Sequence, residues 1–177
     1  MALGLLACGA SAATAQVYGP PSSSYAGLYF GASAGEVFYN EDGLGAMDPT
    51  VLLFRVGQQF SPFVALEGRI GTSVNGGSWD GLRVNAQAIY GAYVKGIWPT
   101  SPWFSVYGLA GLGGAQWHRN YPDSNTNDIG LSFGAGGEFN LGYGTSLDLE
   151  FTRLTNGDNA GYSYNANQLL FGVNWRF

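Results

Sequence analysis

Polar and apolar residues along this chain change places at every second position, in one segment after another. Toward the C-terminus Leu169, Phe171, Val173, Trp175 and Phe177 alternate with Gln168, Gly172, Asn174 and Arg176, and Leu170 is the exception. Successive side chains of a strand point to opposite faces, so this pattern predicts a strand with one greasy and one polar face. The same rule sets Leu147, Leu149 and Phe151 against Asp148, Glu150 and Thr152. It sets Ile129, Leu131, Phe133, Ala135, Phe139 and Leu141 against Ser132, Glu138, Asn140 and several glycines. Earlier, Leu52, Phe54 and Val56 oppose Arg55 and Gln59, and Val64, Leu66 and Ile70 oppose Glu67 and Arg69. Val84, Ala86, Ala88, Tyr90 and Val94 oppose Arg83, Asn85, Gln87, Tyr93 and Lys95. The first segment alternates more weakly, and the run from Phe104 to Gln116 breaks step enough to suggest a bulge.

Eight such segments are expected, at about 26–36, 50–60, 63–72, 82–98, 103–116, 128–141, 145–153 and 167–177. Three connections are tight: Ser61-Pro62, Pro99-Thr100-Ser101-Pro102 and Gly142-Tyr143-Gly144. The other four, about 37–49, 73–81, 117–127 and 154–166, are longer. Segments of about ten alternating residues, joined by short and long connections in turn, are the signature of a membrane-spanning barrel with short periplasmic turns and longer extracellular loops. The predicted fold is therefore all-β: an eight-stranded antiparallel up-and-down transmembrane β-barrel.

Composition supports that fold. Of 177 residues only 11% are charged, against 46% apolar, 15% aromatic and 29 glycines. An average soluble domain carries about 25% charged residues. Five of the seven basic residues (Arg55, Arg69, Arg83, Lys95 and Arg176) fall on the polar parity, as do Glu67, Glu138, Asp148 and Glu150. An Arg or Lys facing lipid at the midplane costs roughly 2–4 kcal/mol, which assigns the polar face to the lumen. The competing fold is a soluble sandwich or lipocalin-like barrel with the greasy face inside. It leaves about one charge per strand on a glycine-rich outer face, and it does not explain why aromatics gather at strand ends.

Beside the short turns lie Phe60, Phe63, Trp98, Trp103 and Tyr143, expected to form a periplasmic aromatic girdle at the membrane–water interface. Tyr39, Trp79, Trp117, Tyr121, Tyr162 and Tyr164 near the long connections are candidates for an outer girdle. Eight strands enclose a lumen just wide enough for side chains to fill. Unpaired charges there are costly, so Arg55, Glu67, Arg69, Lys95, Glu138, Asp148 and Glu150 are expected to pair as an ionic plug. If Leu141 pairs with Thr145, Glu138 falls opposite Asp148, and the two acids need a cation from Arg55, Arg69 or Lys95. Inward glycines such as Gly31, Gly35, Gly57, Gly71, Gly91, Gly134 and Gly136 make room for these long side chains.

Met1 to Ala15 is expected to be a secretory signal, with an apolar stretch from Leu3 to Cys8 and Ala13-Thr14-Ala15 as cleavage site. A lipobox-like reading of Leu5-Leu6-Ala7-Cys8 is the alternative. A polar linker is expected over 16–25 and the barrel domain over 26–177. With a single cysteine, Cys8, no disulfide framework is expected.

Four stretches carry a family resemblance: Tyr29-Phe30-Gly31-Ala32, Glu67-Gly68-Arg69-Ile70-Gly71, Glu150-Phe151-Thr152-Arg153-Leu154 and the ending Gly172-Val173-Asn174-Trp175-Arg176-Phe177. Over about residues 26–177 the chain resembles the OmpA-like/opacity-type porin family of eight-stranded outer-membrane barrels. The resemblance implies residence in a Gram-negative outer membrane. It implies contact with outer-membrane lipid and lipopolysaccharide, and extracellular partners met through the long loops. It also implies that Trp175 and Phe177 form a signal read by the barrel assembly machinery.

Candidate chemistry is sparse. Barrel lipid A deacylases carry a His-x-Ser-Asn motif, and the matching stretch here is Arg153-Leu154-Thr155-Asn156. Without a base the nucleophile is not activated, and the single histidine, His118, is expected in the third long loop. Asp123-Ser124-Asn125-Thr126-Asn127-Asp128 echoes the start of a calcium loop but lacks its turn glycine, and position twelve is Gly134. Acids of the first loop, Glu41, Asp42 and Asp48, are placed to meet divalent ions or simply to be solvated. No cofactor, metal or catalytic residue is expected. The net charge of −5 speaks against nucleic acid. The function expected is a structural or surface-interaction, adhesin-like role with a closed, charge-plugged lumen. A small passive solute channel is the alternative, and a lipid A-modifying enzyme a lesser one.

Overall fold

A computed structural model describes residues 27–41, 49–75, 77–79, 82–120, 123–159 and 162–177. The signal, the linker and the acids Asp42 and Asp48 lie outside the described residues. Nine strand segments occur among them: β1 (Gly27–Glu41), β2 (Thr50–Ser61), β3 (Val64–Asn75), β4 (Gly77–Trp79), β5 (Leu82–Pro99), β6 (Phe104–Asn120), β7 (Asp123–Gly142), β8 (Thr145–Asn159) and β9 (Tyr162–Arg176). Every pairing is antiparallel, and β1 closes the ring by pairing with β9. The short β4 continues the line of β3 along the same edge of β5, so the barrel has eight staves.

The stagger follows from the register. From Gly27 the hydrogen-bonded neighbours run through Gln59, Ala65, Lys95, Leu109, Gly134, Thr152 and Gln168 back to β1 at Val37. One circuit thus climbs ten residues (37 − 27) along β1. Strand number and stagger together set tilt and width, and eight staves leave a lumen that side chains fill.

The faces divide as charge parity demands in most strands. Leu131 is 78% and Ile70 64% exposed, whereas Arg55 is 3% and Glu150 0%. A continuous apolar outer surface of this kind needs hydrocarbon around it. At the tight end, Gly142, Tyr143 and Gly144 all adopt positive φ, and the Gly142 N–H donates to Asn140 Oδ1 at 3.0 Å. Tyr143 accepts this left-handed backbone between two glycines that adopt it without a Cβ penalty.

Two expectations need correction. The strands run well past the expected ends: β1 reaches Glu41, β6 reaches Asn120, and β7 begins at Asp123. The residues involved are mostly polar on both parities in β6 and β7 and apolar on both in Val37-Phe38-Tyr39 of β1, so alternation does not betray them, yet their backbones stay laddered. His118 therefore lies on β6 rather than in a loop, opposite Asn125. The calcium-like stretch Asp123–Asp128 is likewise extended strand, a backbone that does not curl around an ion.

The bulge also falls elsewhere. β6 keeps regular register with β7, and the irregularity is in β5 between Ala86 and Ala88. There Gln87 turns outward and Ala86 becomes fully buried, the reverse of its expected face. One extra residue flips the parity of everything upstream of it.

Candidate functional site

The lumen gathers the charges. Like charges sit side by side on the sheet: Arg55 is the register partner of Arg69, and Glu138 that of Asp148. Such neighbours repel. Their attractions instead cross the barrel from the cationic wall of β2, β3 and β5 to the acidic wall of β7 and β8. Arg55 donates from Nη1 to Asp148 Oδ2 at 2.9 Å and from Nη2 to Ser33 Oγ at 2.9 Å. Arg69 grips Glu150 with both terminal nitrogens, Nη2 to Oε2 at 2.7 Å, and gives Nε–H to Glu67 Oε1 at 2.6 Å. Lys95 Nζ donates to Glu138 Oε2 at 2.9 Å, with Arg176 3.5 Å from the other oxygen of Glu138. Four cations thus meet four acids, and Arg55, Glu67, Arg69, Lys95, Asp148 and Glu150 are at most 6% exposed. Charge-assisted, partly bidentate bonds of this kind are the strong ones.

Neutral residues complete the network, and the sequence did not single them out. Tyr29 Oη donates to Glu67 at 2.6 Å, and Tyr107 Oη lies 3.2 Å from Asp148 and 3.0 Å from Glu150. Ser146 serves Glu138, Thr152 serves Glu150, and Asn174 serves Asp148. Lys95 sits 3.9 Å from the Tyr107 ring centroid, and Arg69 4.7 Å from that of Tyr93. Each tyrosine lies on an inward glycine: Tyr29 on Gly57, Tyr93 on Gly91, Tyr107 on Gly136. A methyl group at Gly91 would come within 2.5 Å of the Tyr93 ring, so the rings fit only because Cβ is missing there. The signal available was an inward-parity Tyr beside an inward-parity Gly, on the next strand for Tyr29 and Tyr107 and two residues back on the same strand for Tyr93.

A second layer closes the loop-side end. Val37, Val51, Leu53, Ile89, Leu154 and Leu170, with the alanines Ala86, Ala115 and Ala166, form a cluster at most 1% exposed. Ladder pairing of β7 with β8 ends at Phe133 and Arg153, and a register shift against β9 falls between Arg153 and Thr155. Leu154 keeps the inward parity of Glu150 and Thr152, and a methyl on Gly113 would stand 3.1 Å from its backbone carbonyl oxygen. Within this layer, between Leu170 and Ala166 on β9, Gln168 is fully buried, and neither polar atom of its side chain has a protein partner.

The other singled-out residues lie apart from the lumen. Phe60, Phe63, Trp98, Trp103 and Tyr143 are all more than half exposed at the tight-turn end. Trp175 and Phe177 face outward, and the Phe177 ring meets Phe30 edge-on at 6.0 Å. The side chains of Tyr39, Trp79, Trp117, Tyr121, Tyr162 and Tyr164 lie outside the described residues, as do those of His118, Thr155 and Asn156. Arg153 faces outward beside Phe133, and Leu154 inward. Among the described residues no group of three or more His, Cys, Asp or Glu could hold a metal ion.

A family model described as the outer membrane protein beta-barrel domain matches residues 1–177. Several solved structures share the fold at low identity. Neisserial surface protein A matches with a TM-score of 0.68 at 16% identity, over 85% of this chain and 97% of that one. Ail, the attachment invasion locus protein of Yersinia pestis, was solved with the heparin analogue sucrose octasulfate. It matches with a TM-score of 0.62 at 15% identity, over 86% of this chain and 99% of that one. The N-terminal barrel domain of Pseudomonas aeruginosa OprF matches at 0.59 and 14%, over 86% and 99%. No curated protein matches the chain.

Proposed function

The chain belongs to the outer membrane protein β-barrel domain family and resides in the bacterial outer membrane, and from that premise we propose that it works as a closed barrel with a structural or surface-interaction role. One observation carries this reading: the lumen charges satisfy one another across the barrel, and an apolar layer lies over them. Buried charges that find partners in one another recover part of what leaving water costs them, with Arg55 Nε and Arg176 Nε the buried guanidinium nitrogens left without a protein partner among the described residues. With the interior occupied, the surfaces left for partners are the lipid-facing wall and the loop-side end. In this reading Phe60, Phe63, Trp98, Trp103 and Tyr143 anchor the periplasmic interface. Trp175 and Phe177 present the C-terminal signal to the barrel assembly machinery, and lipopolysaccharide covers the outer half. Ail, whose name refers to attachment, lends the adhesin-like role its analogy. Its polyanionic ligand does not carry over readily to a chain of net charge −5.

Planar-bilayer recording of the purified, refolded chain tests the closed lumen. The expectation is no steady conductance. Large, steady channels would refute the plug and favour the passive solute channel. Enzymatic activity is tested separately by acyl release from lipopolysaccharide. Turnover abolished by His118→Ala would overturn the non-enzymatic reading.

A further inference from the structure

One seam of the barrel wall is laddered only partway up. β7 and β8 pair from Gly142 and Thr145 as far as Phe133 and Arg153, and there they part. Beyond that point β7 stays on β6 as far as Asp123, and β8 stays on β9 as far as Asn159. β8 leaves by slipping inward: its Leu154 carbonyl lies close over Gly113 of β6, and β8 and β6 touch directly, past the strand between them in the sheet. A single side-chain bond marks the fork, where Ser132 Oγ donates to the Arg153 carbonyl at 2.6 Å. From Asp123 to Ser132, the edge of β7 that faces away from β6 therefore has no ladder partner among the described residues.

The wall's other interruption is repaired. Between β3 and β5 the ladder stops at Gly71 and Ile89, and the Thr72 and Ser73 hydroxyls both donate to the Ala86 carbonyl. β4 then resumes the pairing at Gly77 and Val84. The β7 edge has no such cover among the described residues. An unpaired edge is a template for another strand, and proteins commonly blunt it with proline, lysine or a bulge. From Asp123 to Ser132 there is no proline and no lysine, and the register with β6 is unbroken.

Every second residue of such an edge offers its N–H and C=O sideways, and only another extended backbone repeats those groups at the same spacing. We infer that this edge is a docking site for an extended peptide segment of an extracellular partner, which joins β7 as an added strand. In this mode main-chain hydrogen bonds supply the affinity and side chains the choice of partner. The stretch carries two acids, Asp123 and Asp128, and no base, on a chain of net charge −5, so the segment that complements it is basic. The inference deepens the surface-interaction role proposed above. It does not depend on the lumen, so a conducting barrel and an empty edge are separate failures.

Amide hydrogen exchange, followed residue by residue in phosphatidylcholine nanodiscs, tests the edge on the unaltered chain. The probe is an acetylated peptide of alternating Thr and Lys, and the control is the same peptide N-methylated at each amide, which keeps the charge and cannot donate to a ladder. Without peptide, the edge-side amides between Asp123 and Ser132 are expected to exchange faster than the laddered amides between Phe133 and Asn140. The probe is expected to slow them several-fold, and the control to leave them unchanged. Equal slowing by both peptides would reduce the effect to charge attraction and overturn the inference. So would no slowing by either, or edge amides already protected before any peptide is added, which would mean that β8 itself closes onto β7.

Discussion

The two layers of the lumen hold the barrel together by opposite means. The lower layer consists of charges whose like-signed neighbours repel along the sheet and whose partners lie across it, as Arg55 reaches Asp148 and Arg69 reaches Glu150. Its value is directional: each pair braces one wall against the other, and removing one partner strands the rest. The upper layer is Val37, Val51, Leu53, Ile89, Leu154 and Leu170 in plain contact, with no direction to satisfy. Its cost on truncation is the transfer and cavity term of any tight core. The lesson is that one narrow tube accommodates both kinds of packing, stacked end to end.

Substitutions that strike each layer separately can break this contrast. The largest effect is expected from Arg69→Met, which leaves Glu67 and Glu150 without their shared guanidinium. Orphaning buried acids costs about 3–5 kcal/mol, read by urea unfolding of vesicle-inserted protein. A loss below about 1 kcal/mol, the level of an exposed pair, would mean the braces carry little. Leu154→Ala, in the apolar layer, is expected to cost about 2–5 kcal/mol in the same assay. A near-neutral result would show the upper end to be loosely packed.

Gly57→Ala sharpens the comparison at the tyrosine shelf. The added methyl collides with the Tyr29 ring that donates to Glu67, and such overpacking costs about 1–3 kcal/mol. If stability is unchanged, Tyr29 is not locked on that glycine. Smallest, and opposite in sign, is Gln168→Met, within the apolar layer between Leu170 and Ala166. Its buried amide has no protein partner, so an apolar side chain of similar length is expected to stabilise the fold by about 1 kcal/mol. Destabilisation would mean that the amide is needed where it is.

Legibility followed the alternation. In β7, β8 and β9 charges recur on one parity between unambiguous apolar residues, so faces and the Glu138–Asp148 juxtaposition could be read directly. The juxtaposition survived although Gly142, not Leu141, pairs with Thr145, because the irregularity lies below it. In Val51-Leu52-Leu53-Phe54 four apolar residues in a row carry no period, so the inward Val51 and Leu53 gave no sign of an apolar layer. The extended ends of β6 and β7 were hidden for the converse reason, since polar residues on both faces look like loop. The bulge at Gln87 was invisible because one residue of slippage leaves the composition unchanged while reversing which side is wet. The exchange of partners across the lumen needed the stagger of the whole ring, a property no single strand carries.

The central claim is that the lumen charges are sealed and mutually bonded, and the Nε–H of Arg69, held by Glu67, reports on it most directly. Exchange of that proton with water, followed by NMR on isotopically labelled protein in lipid nanodiscs, is expected to be far slower than for a solvent-exposed arginine. Exchange as fast as in a free arginine side chain would show water reaching the braces and would contradict the account.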